Sequence, residues 1–480
     1  MQKEFFIDFH THTSLKALNT CNNKESKCLW KPTYGILPVT AFERWVSIKT
    51  HEIAKDSQAN LYKYVGKAIG VVVDALYPVE KEWLQFRKLP ATLMGKQKVQ
   101  DLLGVATGFS KGRINELNKK DDYFEELCEY YDNLVNMQGK SPNGRFSYQL
   151  VKDFKEMNEV LSLGKHRLPM MISIEGGHAF GTGCRSVRNL TLKQHKALLS
   201  ENIAMVKGWE FTPLFVTLAH HFWNQLCGHS SSFKAQIKIV LSQSNGMNTG
   251  ITELGWHVVK ELLTTSNGRR IVIDVKHMSI KARMEFYTFI QQNNYINPHD
   301  KIPIVCSHAG VNGYQTMKHA IKVGAAEANS NGTYFRNWSI NLSQDEIRII
   351  HDSGGVIGLI LDKAILASDS TLGKIDRIID DQKRKEAYLK LFWDNIFFVI
   401  NAVKDKSAWE VPVLGSDFDG VINHVEFYND ASKLPDLQKD LVQYLEEYNY
   451  RKELWFDMNP KTLVSRIFKT NAYEFLRKHF

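Results

Sequence analysis

IVIDVKHMS, residues 271–279, contains the two features that decide the fold of this chain. A short run rich in Ile and Val comes first, and His277 follows it almost directly. Such a run is typical of a strand that is buried on both faces in a parallel sheet. The preceding segment WHVVKELLTTSNG, after Gly255, has the apolar spacing of a helix and a glycine stop. A helix therefore alternates with a buried strand at this point of the chain.

Similar apolar runs recur along the whole chain and are separated by helical patterns. The eight candidate strands are FFIDF near Phe5, AIGVVVDAL near Val72, MMISI ending at Ile174, PLFVTLA ending at Ala219, IVIDV ending at Val275, IPIVCS ending at Ser307, GGVIGLIL near Ile357 and VPVLGS ending at Ser416. Strands that alternate with helices predict a parallel sheet. We therefore predict an α/β fold, namely a (β/α)₈ TIM-type barrel.

The length of 480 residues fits one barrel domain with a large insertion. The interval between the second and third strands, about residues 80–168, is longer than one crossover helix requires. It holds helical stretches and a turn rich in Gly, Pro and Asn at residues 139–144. We expect a helical insertion there, and closing helices at about residues 435–480.

The composition is that of a globular protein, with 43% hydrophobic and 24% charged residues. The formal net charge of +9 is spread along the chain, without the basic clusters of a nucleic-acid-binding protein. No stretch of about 18 apolar residues and no secretion signal is visible. We therefore expect a cytoplasmic protein without a nucleic-acid or membrane partner.

Residues that can bind metals follow one candidate strand after another. The carboxyl ends of barrel strands meet at one mouth, so residues far apart in sequence can converge there. Nitrogen and oxygen donors together suit Zn²⁺ and similar ions, and six candidates exceed what one tetrahedral centre needs. This pattern predicts two divalent metal ions that share a bridging carboxylate. The candidates are His10 and His12 after the first strand, Glu175 after the third, His277 after the fifth, His308 after the sixth and Asp417 after the eighth.

Six motifs occur in the order and spacing of one known family. They are EGGH at 175–178, TLAH at 217–220, DVKHMS at 274–279, CSHAG at 306–310, RN at 336–337 and GSDFDGV at 415–421. With them, the last two thirds of the chain resemble the membrane dipeptidase (renal dipeptidase) family of metallopeptidases in the amidohydrolase superfamily. The resemblance implies a metal-dependent dipeptidase.

The resemblance also implies a role for each metal-binding candidate. His10 and His12 would hold one ion, and His277 and His308 would hold the other. Glu175 would bridge the two ions. The resemblance implies that both ions are Zn²⁺. The resemblance also leaves open whether the protein forms a homodimer.

Three further residues receive catalytic or substrate-binding roles from the resemblance. Asp417 would move the proton of the attacking water, and His220 would contact the scissile carbonyl. Arg336 would bind the terminal carboxylate of the substrate, so a dipeptide or an N-acyl amino acid is the expected substrate. Structural roles are expected for His178, Asp419 and Asn337.

Position 12 departs from the family pattern, because relatives carry His-x-Asp where this chain has His10-Thr11-His12. A neutral ligand in place of an anionic one makes the metal pair more positive and should weaken retention of the first ion. Phe335 also stands where many relatives have a second arginine.

The sequence leaves open two alternatives to a dipeptidase. FHTHTS at 9–14 also resembles the opening motif of phosphoesterases of the polymerase-and-histidinol-phosphatase type, although that family does not explain EGGH, TLAH and RN. The second alternative is a catalytically retired barrel that binds a peptide or metabolite without cleaving it.

Overall fold

Eight parallel strands lie side by side in the computed structural model and form a nearly closed barrel. The structure describes residues 5–20, 27–34, 56–66, 68–84, 101, 103–105, 108–164, 166–233, 241–324 and 333–480. The barrel strands follow the order of the chain and are interrupted only by a small hairpin. The strands are β1 Phe5–Thr11, β2 Ile69–Leu76, β3 Gly139–Lys140, β4 Ser147–Leu150, β5 Arg167–Glu175, β6 Phe215–Thr217, β7 Val272–Asp274, β8 Val305–Ala309, β9 Val356–Leu359 and β10 Pro412–Leu414.

All eight strands predicted from apolar runs are present, and the predicted TIM-type barrel is confirmed. The segment that follows β10 is hydrogen-bonded to β1, since the Asp417 amide donates to the His10 carbonyl at 3.0 Å. The His12 amide donates to the Phe418 carbonyl at 2.9 Å. These bonds bring the ends of the first and last barrel strands together, and residues of the predicted site lie at this seam.

Helices cover the outside of the barrel. No helix among the described residues is both long and apolar enough to cross a lipid bilayer. The longest helix, Asp381–Val403, carries many buried side chains. The described α-helices are Leu15–Thr20, Lys27–Trp30, Lys111–Lys119, Tyr123–Asn136, Phe154–Ser162, Leu192–Lys207, Glu253–Leu263, Ile280–Ile296, Met317–Gly324, Gln344–Asp352, Lys363–Leu366, Asp369–Asp376, Asp381–Val403, Leu434–Tyr448, Pro460–Ser465 and Asn471–His479.

The segment between β2 and β5 is not purely helical. Besides helices, its described part contains the antiparallel pair β3–β4, and β4 also pairs with β5 in parallel. The turn predicted at residues 139–144 overlaps β3 and most of the connection at 141–146 that joins the two strands. The sequence prediction missed the hairpin because β3 has two residues and β4 is the polar segment SYQL, which carries no strong strand signal. Residues 85–100 of this segment lie outside the described residues.

A cluster of buried side chains, to which each of the eight barrel strands contributes, lies next to the predicted ligands. The ring centroid of Phe215 lies 5.4 Å from that of Phe9 and 6.4 Å from that of His10. Phe475, from the last helix, packs against Phe9 at 5.5 Å. The predicted site therefore rests on a packed apolar layer, which restricts how its side chains can move.

Candidate metal centre

Glu175, the last residue of β5, is the point on which the predicted histidines converge. Its Oε1 lies 3.7 Å from Nε2 of His10, 3.6 Å from Nε2 of His277 and 3.7 Å from Nε2 of His308. Its Oε2 lies 2.9 Å from Nε2 of His12. The ends of β1, β7 and β8 thus place four imidazoles around the carboxylate at the end of β5.

Asp417 closes this cluster from the end of β10. Its Oδ1 lies 3.7 Å from Nε2 of His10 and 3.5 Å from Nε2 of His12. Its Oδ2 lies 3.9 Å from Nε2 of His308. The structure therefore brings together all six residues that the sequence suggested as ligands or neighbours of the metals.

Irregular backbone places several of these side chains. The register of β1 shifts between Asp8 and Thr11, and that of β8 shifts between Cys306 and Ala309. Such irregularities re-aim side chains and are frequent beside active sites. Each of these two shifts spans one candidate ligand, His10 in β1 and His308 in β8.

Two site residues adopt a backbone conformation that non-glycine residues rarely take. His277 has a φ of 66° and Asp417 a φ of 60°. Conformations of this kind cost about 1–3 kcal/mol each and cluster at functional sites. Gly420 is required next to them, because a Cβ at this position would overlap Oδ1 of Asp417. This contact explains the second glycine of the GSDFDG motif.

An unpartnered nitrogen atom tests whether the cluster suits a metal. Nε2 of His10, which lies 3.7 Å from carboxylate oxygens of both Glu175 and Asp417, is buried without a hydrogen-bond partner among the described residues. Burial lowers the pKa of His10 and of His277 to about 3, so both rings are neutral and can offer a lone pair. A buried polar atom without a partner is costly unless it binds an ion. The residues present therefore fit divalent cations.

Among the described residues, three groups have ligand atoms within 4.8 Å of one another, and two of these groups share His10. They are His10 with Glu175 and His308, His10 with His12 and Asp417, and His220 with His221 and His277. The first two contain residues predicted as ligands or as the proton carrier. His221 was not predicted, although it directly follows His220 in the TLAHH stretch.

The electrostatics of His12 differ from those of the other predicted ligands. Burial disfavours its charged form, but Glu175 and Asp417 outweigh burial and raise the pKa of His12 to about 10. Burial raises the pKa of Asp417 to about 7, although His12 opposes this shift. The pKa of Glu175 is well below its usual range, because the surrounding histidines outweigh burial.

His220 lies at the rim of this cluster and is held by a residue that the sequence analysis missed. Its Nδ1 lies 2.6 Å from Oε2 of Glu80, and its Nε2 lies 3.6 Å from Oε1 of Glu175. Glu80 also accepts hydrogen bonds from the Tyr77 hydroxyl and the Phe222 amide. Glu80 follows β2 as the ligands follow their strands, but it was assigned to the insertion.

Arg336 does not join the cluster. Its guanidinium forms a two-pronged ion pair with Asp369, at 2.6 and 3.2 Å, and its Nε donates to the Ala364 carbonyl at 2.8 Å. The residue is buried, and it is absent from the described lining of the cavity beside the metal-binding candidates. The carboxylate that pairs with Arg336 in the structure is thus Asp369 of this chain.

The cavity at the mouth of the barrel has one polar side and one apolar wall. Glu175, His220, His277, His308 and Asp417 lie on the polar side. The lining also includes residues that the sequence analysis did not single out, namely Trp83, His221, Ser232, Phe233, Lys276, Ile340, Ile360, Asp362, Ile365, Val421 and Ile422.

The residues expected to be structural have partners of their own. The ring nitrogen Nε2 of His178 lies 2.8 Å from the Pro78 carbonyl. The carboxylate of Asp419 accepts two backbone amide hydrogen bonds and pairs with Lys16 at 2.7 Å. The Asn337 amide donates to the Tyr314 hydroxyl at 3.2 Å. These contacts agree with a supporting role for each of the three.

Known proteins resemble this chain in sequence and in fold. Residues 307–456 match the family described as membrane dipeptidase (Peptidase family M19). A solved structure described as the dipeptidase AC, a metallopeptidase of family M19, is 14% identical and superposes with a TM-score of 0.51 over 99% of this chain and 98% of that one. A metallopeptidase from Rhodobacter sphaeroides, solved with a phosphinate mimic of the dipeptide L-Ala-D-Ala, is 14% identical with a TM-score of 0.50 over the full length of both chains.

The family match and the structural likeness support different statements. At 14% identity the two structures show that the fold is shared. The family match includes His308, Arg336 and Asp417, whereas His10, His12, Glu175 and His277 lie before the matched residues. The resemblance predicted from the motifs is confirmed over residues 307–456, which include RN and GSDFDGV.

Proposed function

We propose that this relative of the membrane dipeptidases, a metal-dependent hydrolase, cleaves the amide bond of a dipeptide or an N-acyl amino acid with a metal-activated water. The observation that carries the proposal is the convergence of four histidine Nε2 atoms on Glu175, within 2.9–3.7 Å of its carboxylate oxygens. The family match over residues 307–456 supports peptide-bond hydrolysis as the chemistry.

Two Zn²⁺ ions are the proposed cofactors. His10 and His12 would hold one ion, His277 and His308 the other, and Glu175 would bridge them. When bound, such ions would supply Lewis-acid activation of water for attack near neutral pH. His12 has to lose its proton before it can act as a ligand, and metal binding at this position therefore releases a proton.

Asp417 is the proposed proton carrier. Its carboxylate lies beside His10, His12 and His308, and it lines the cavity in which the substrate would sit. It would accept the proton of the attacking water at a carboxylate oxygen and return it to the leaving amine.

His220 is the proposed donor to the scissile carbonyl oxygen. Because Glu80 lies at Nδ1, Nε2 is the nitrogen that remains available to the substrate. A preorganised donor of this kind contributes about 3–4 kcal/mol to stabilisation of a tetrahedral oxyanion.

The role of Arg336 in binding the substrate carboxylate stays a prediction. The contacts of Arg336 with Asp369 do not support this role.

The apolar wall of the cavity supports a substrate with an uncharged side chain. It includes Ile340, Ile360, Ile365 and Ile422. A cytoplasmic location and a homodimer stay predictions.

A phosphoesterase remains the second candidate, because His12 replaces the aspartate of the family pattern and leaves the centre more positive. A screen of dipeptides, N-acyl amino acids and phosphomonoesters on one metal-loaded sample tests both candidates. Hydrolysis of dipeptides or N-acyl amino acids supports the first, and turnover of phosphomonoesters alone supports the second. Binding of a dipeptide without turnover of any substrate would favour the retired barrel.

A further inference from the structure

Lys276 is a buried lysine of the candidate site without an assigned role. Only 1% of its surface is exposed, and its Nζ has no hydrogen-bond partner among the described residues. It lines the same cavity as Glu175, His277 and Asp417. A buried ammonium without an anion is costly, because the charge loses its hydration and gains no partner. Such a group is typical of a site whose anion arrives with a ligand.

Nearby carboxylates are occupied by other donors. Asp274 accepts the Lys276 and Ser307 amides at 3.0 Å each, and its other oxygen accepts the Thr217 and Ser307 hydroxyls at 2.6 Å each. Asp362 lines the cavity, and its Oδ1 caps the helix that follows it. Asp417 lies among the histidines of the metal centre. The Lys276 Nζ therefore remains unpartnered although acidic residues are close.

The charge of the loaded centre also favours an anion. The carboxylates of Glu175 and Asp417 would offset only two of the four positive charges of two divalent ions, because His12 as a neutral ligand contributes no negative charge. Among the described residues that line the cavity, Lys276 is the one lysine or arginine. Arg336 is held by Asp369 and is not part of this lining. Lys276 is thus the cation that an anionic substrate group would meet.

We propose that the ammonium of Lys276 binds the free carboxylate of the substrate and selects dipeptides and N-acyl amino acids over their amides. This inference rests on the proposed function, since it places the scissile carbonyl at the metal centre. In a dipeptide the C-terminal carboxylate stands one residue from the scissile carbonyl, and consecutive Cα atoms are about 3.8 Å apart. The carboxylate must then bind beside the metals, and Lys276 precedes the candidate ligand His277 in the chain.

A pair of inhibitors tests this assignment without turnover. The first probe is a phosphinate dipeptide mimic with a free C-terminal carboxylate, and the second is the same compound as its C-terminal amide. Calorimetry gives the Kd of both for the metal-loaded full chain, for Lys276→Met and for Lys276→Gln, with the metal content of each sample measured. Wild type should bind the acid about tenfold to a hundredfold more tightly than the amide. Both variants should bind the two probes alike and keep the wild-type affinity for the amide.

The results separate this inference from the proposed function. An acid preference that persists in metal-loaded Lys276→Met and Lys276→Gln would overturn the role of Lys276, as would a wild type without any acid preference. Failure of the wild type to hydrolyse any dipeptide or N-acyl amino acid would refute the proposed function, while the inhibitor comparison still decides which residue binds the carboxylate. Removal of an unpaired buried charge should leave the Tm of Lys276→Met unchanged or raise it, so we expect this variant to fold.

Discussion

Oε2 of Glu80 lies 2.6 Å from Nδ1 of His220, and the two residues are separated by 140 positions in the chain. Burial disfavours ionisation of both groups, but His220 outweighs it at Glu80, and Glu175 together with Glu80 outweighs it at His220. The pKa of Glu80 falls to about 2, and the pKa of His220 is raised above its usual value. The pair is therefore ionised, and His220 can donate to Glu80 through Nδ1 while it keeps a proton on Nε2.

The first prediction concerns the pH dependence that this pair produces. A histidine with a raised pKa keeps its proton until the pH rises through that pKa, so the Nε2 donor is lost on the alkaline side. Glu80→Gln removes one of the two carboxylates that raise the pKa of His220, so the alkaline fall in kcat/KM should move to lower pH. Tyr77→Phe is the matched control, because it removes a hydrogen bond to Glu80 but leaves its charge. If kcat/KM falls at the same alkaline pH in wild type and in Glu80→Gln, the proposed effect of Glu80 on His220 is contradicted.

The second prediction is that Asp417→Asn keeps the fold and the metals but loses turnover. A carboxamide occupies the same space, but it cannot accept and return a proton. We expect kcat to fall by about 10²–10⁴-fold. Steady-state kinetics, circular dichroism and elemental analysis of the same sample are the measurements. A kcat near that of wild type would move the proton carrier to another residue.

The third prediction concerns position 12, where this chain departs from the His-x-Asp pattern. An anionic ligand should hold a divalent ion more tightly than a neutral one, so His12→Asp should lose its metal more slowly to a chelator. His12→Asn serves as the control, because it has nearly the same shape as the aspartate without its charge. Equal rates of metal loss from wild type and His12→Asp would show that the charge at this position does not set retention.

The fourth prediction concerns Arg336 and its partner Asp369. Since the guanidinium is buried and bound to Asp369 and the Ala364 carbonyl, Arg336→Ala should lower the free energy of unfolding by about 2 kcal/mol. The ratio of kcat/KM for a dipeptide and for its C-terminal amide should stay that of wild type. Denaturant unfolding and paired kinetics check the two parts. Loss of the preference for the free acid would instead restore Arg336 to the substrate site.

The fold could be predicted because each barrel strand is a continuous apolar run. The residues after these runs converge for the same reason, since a parallel barrel places the carboxyl ends of its strands at one mouth. His10, Glu175 and His277 were identified in this way although they are far apart in the chain. The hairpin β3–β4 was missed, because its strands are short and polar and depend on pairing with β5.

The remaining site residues depend on contacts that no local pattern reveals. Glu80 follows a strand, but only the fold shows that its carboxylate meets His220. Lys276 belongs to a quoted motif, yet its significance comes from burial and from the occupied carboxylates around it. For Arg336 the motif predicts a free guanidinium, whereas the fold supplies Asp369 as its partner.

The most direct test of the proposed function is a metal titration of the metal-free protein, followed by hydrolysis of a dipeptide and of a phosphomonoester. Dipeptide hydrolysis should rise with added Zn²⁺ to a plateau at about two ions per chain. Glu175→Ala should bind less metal and show no turnover, because it lacks the carboxylate around which the histidines converge. Absence of dipeptide and N-acyl amino acid hydrolysis at every metal ratio, or turnover of the phosphomonoester alone, would contradict the proposed function.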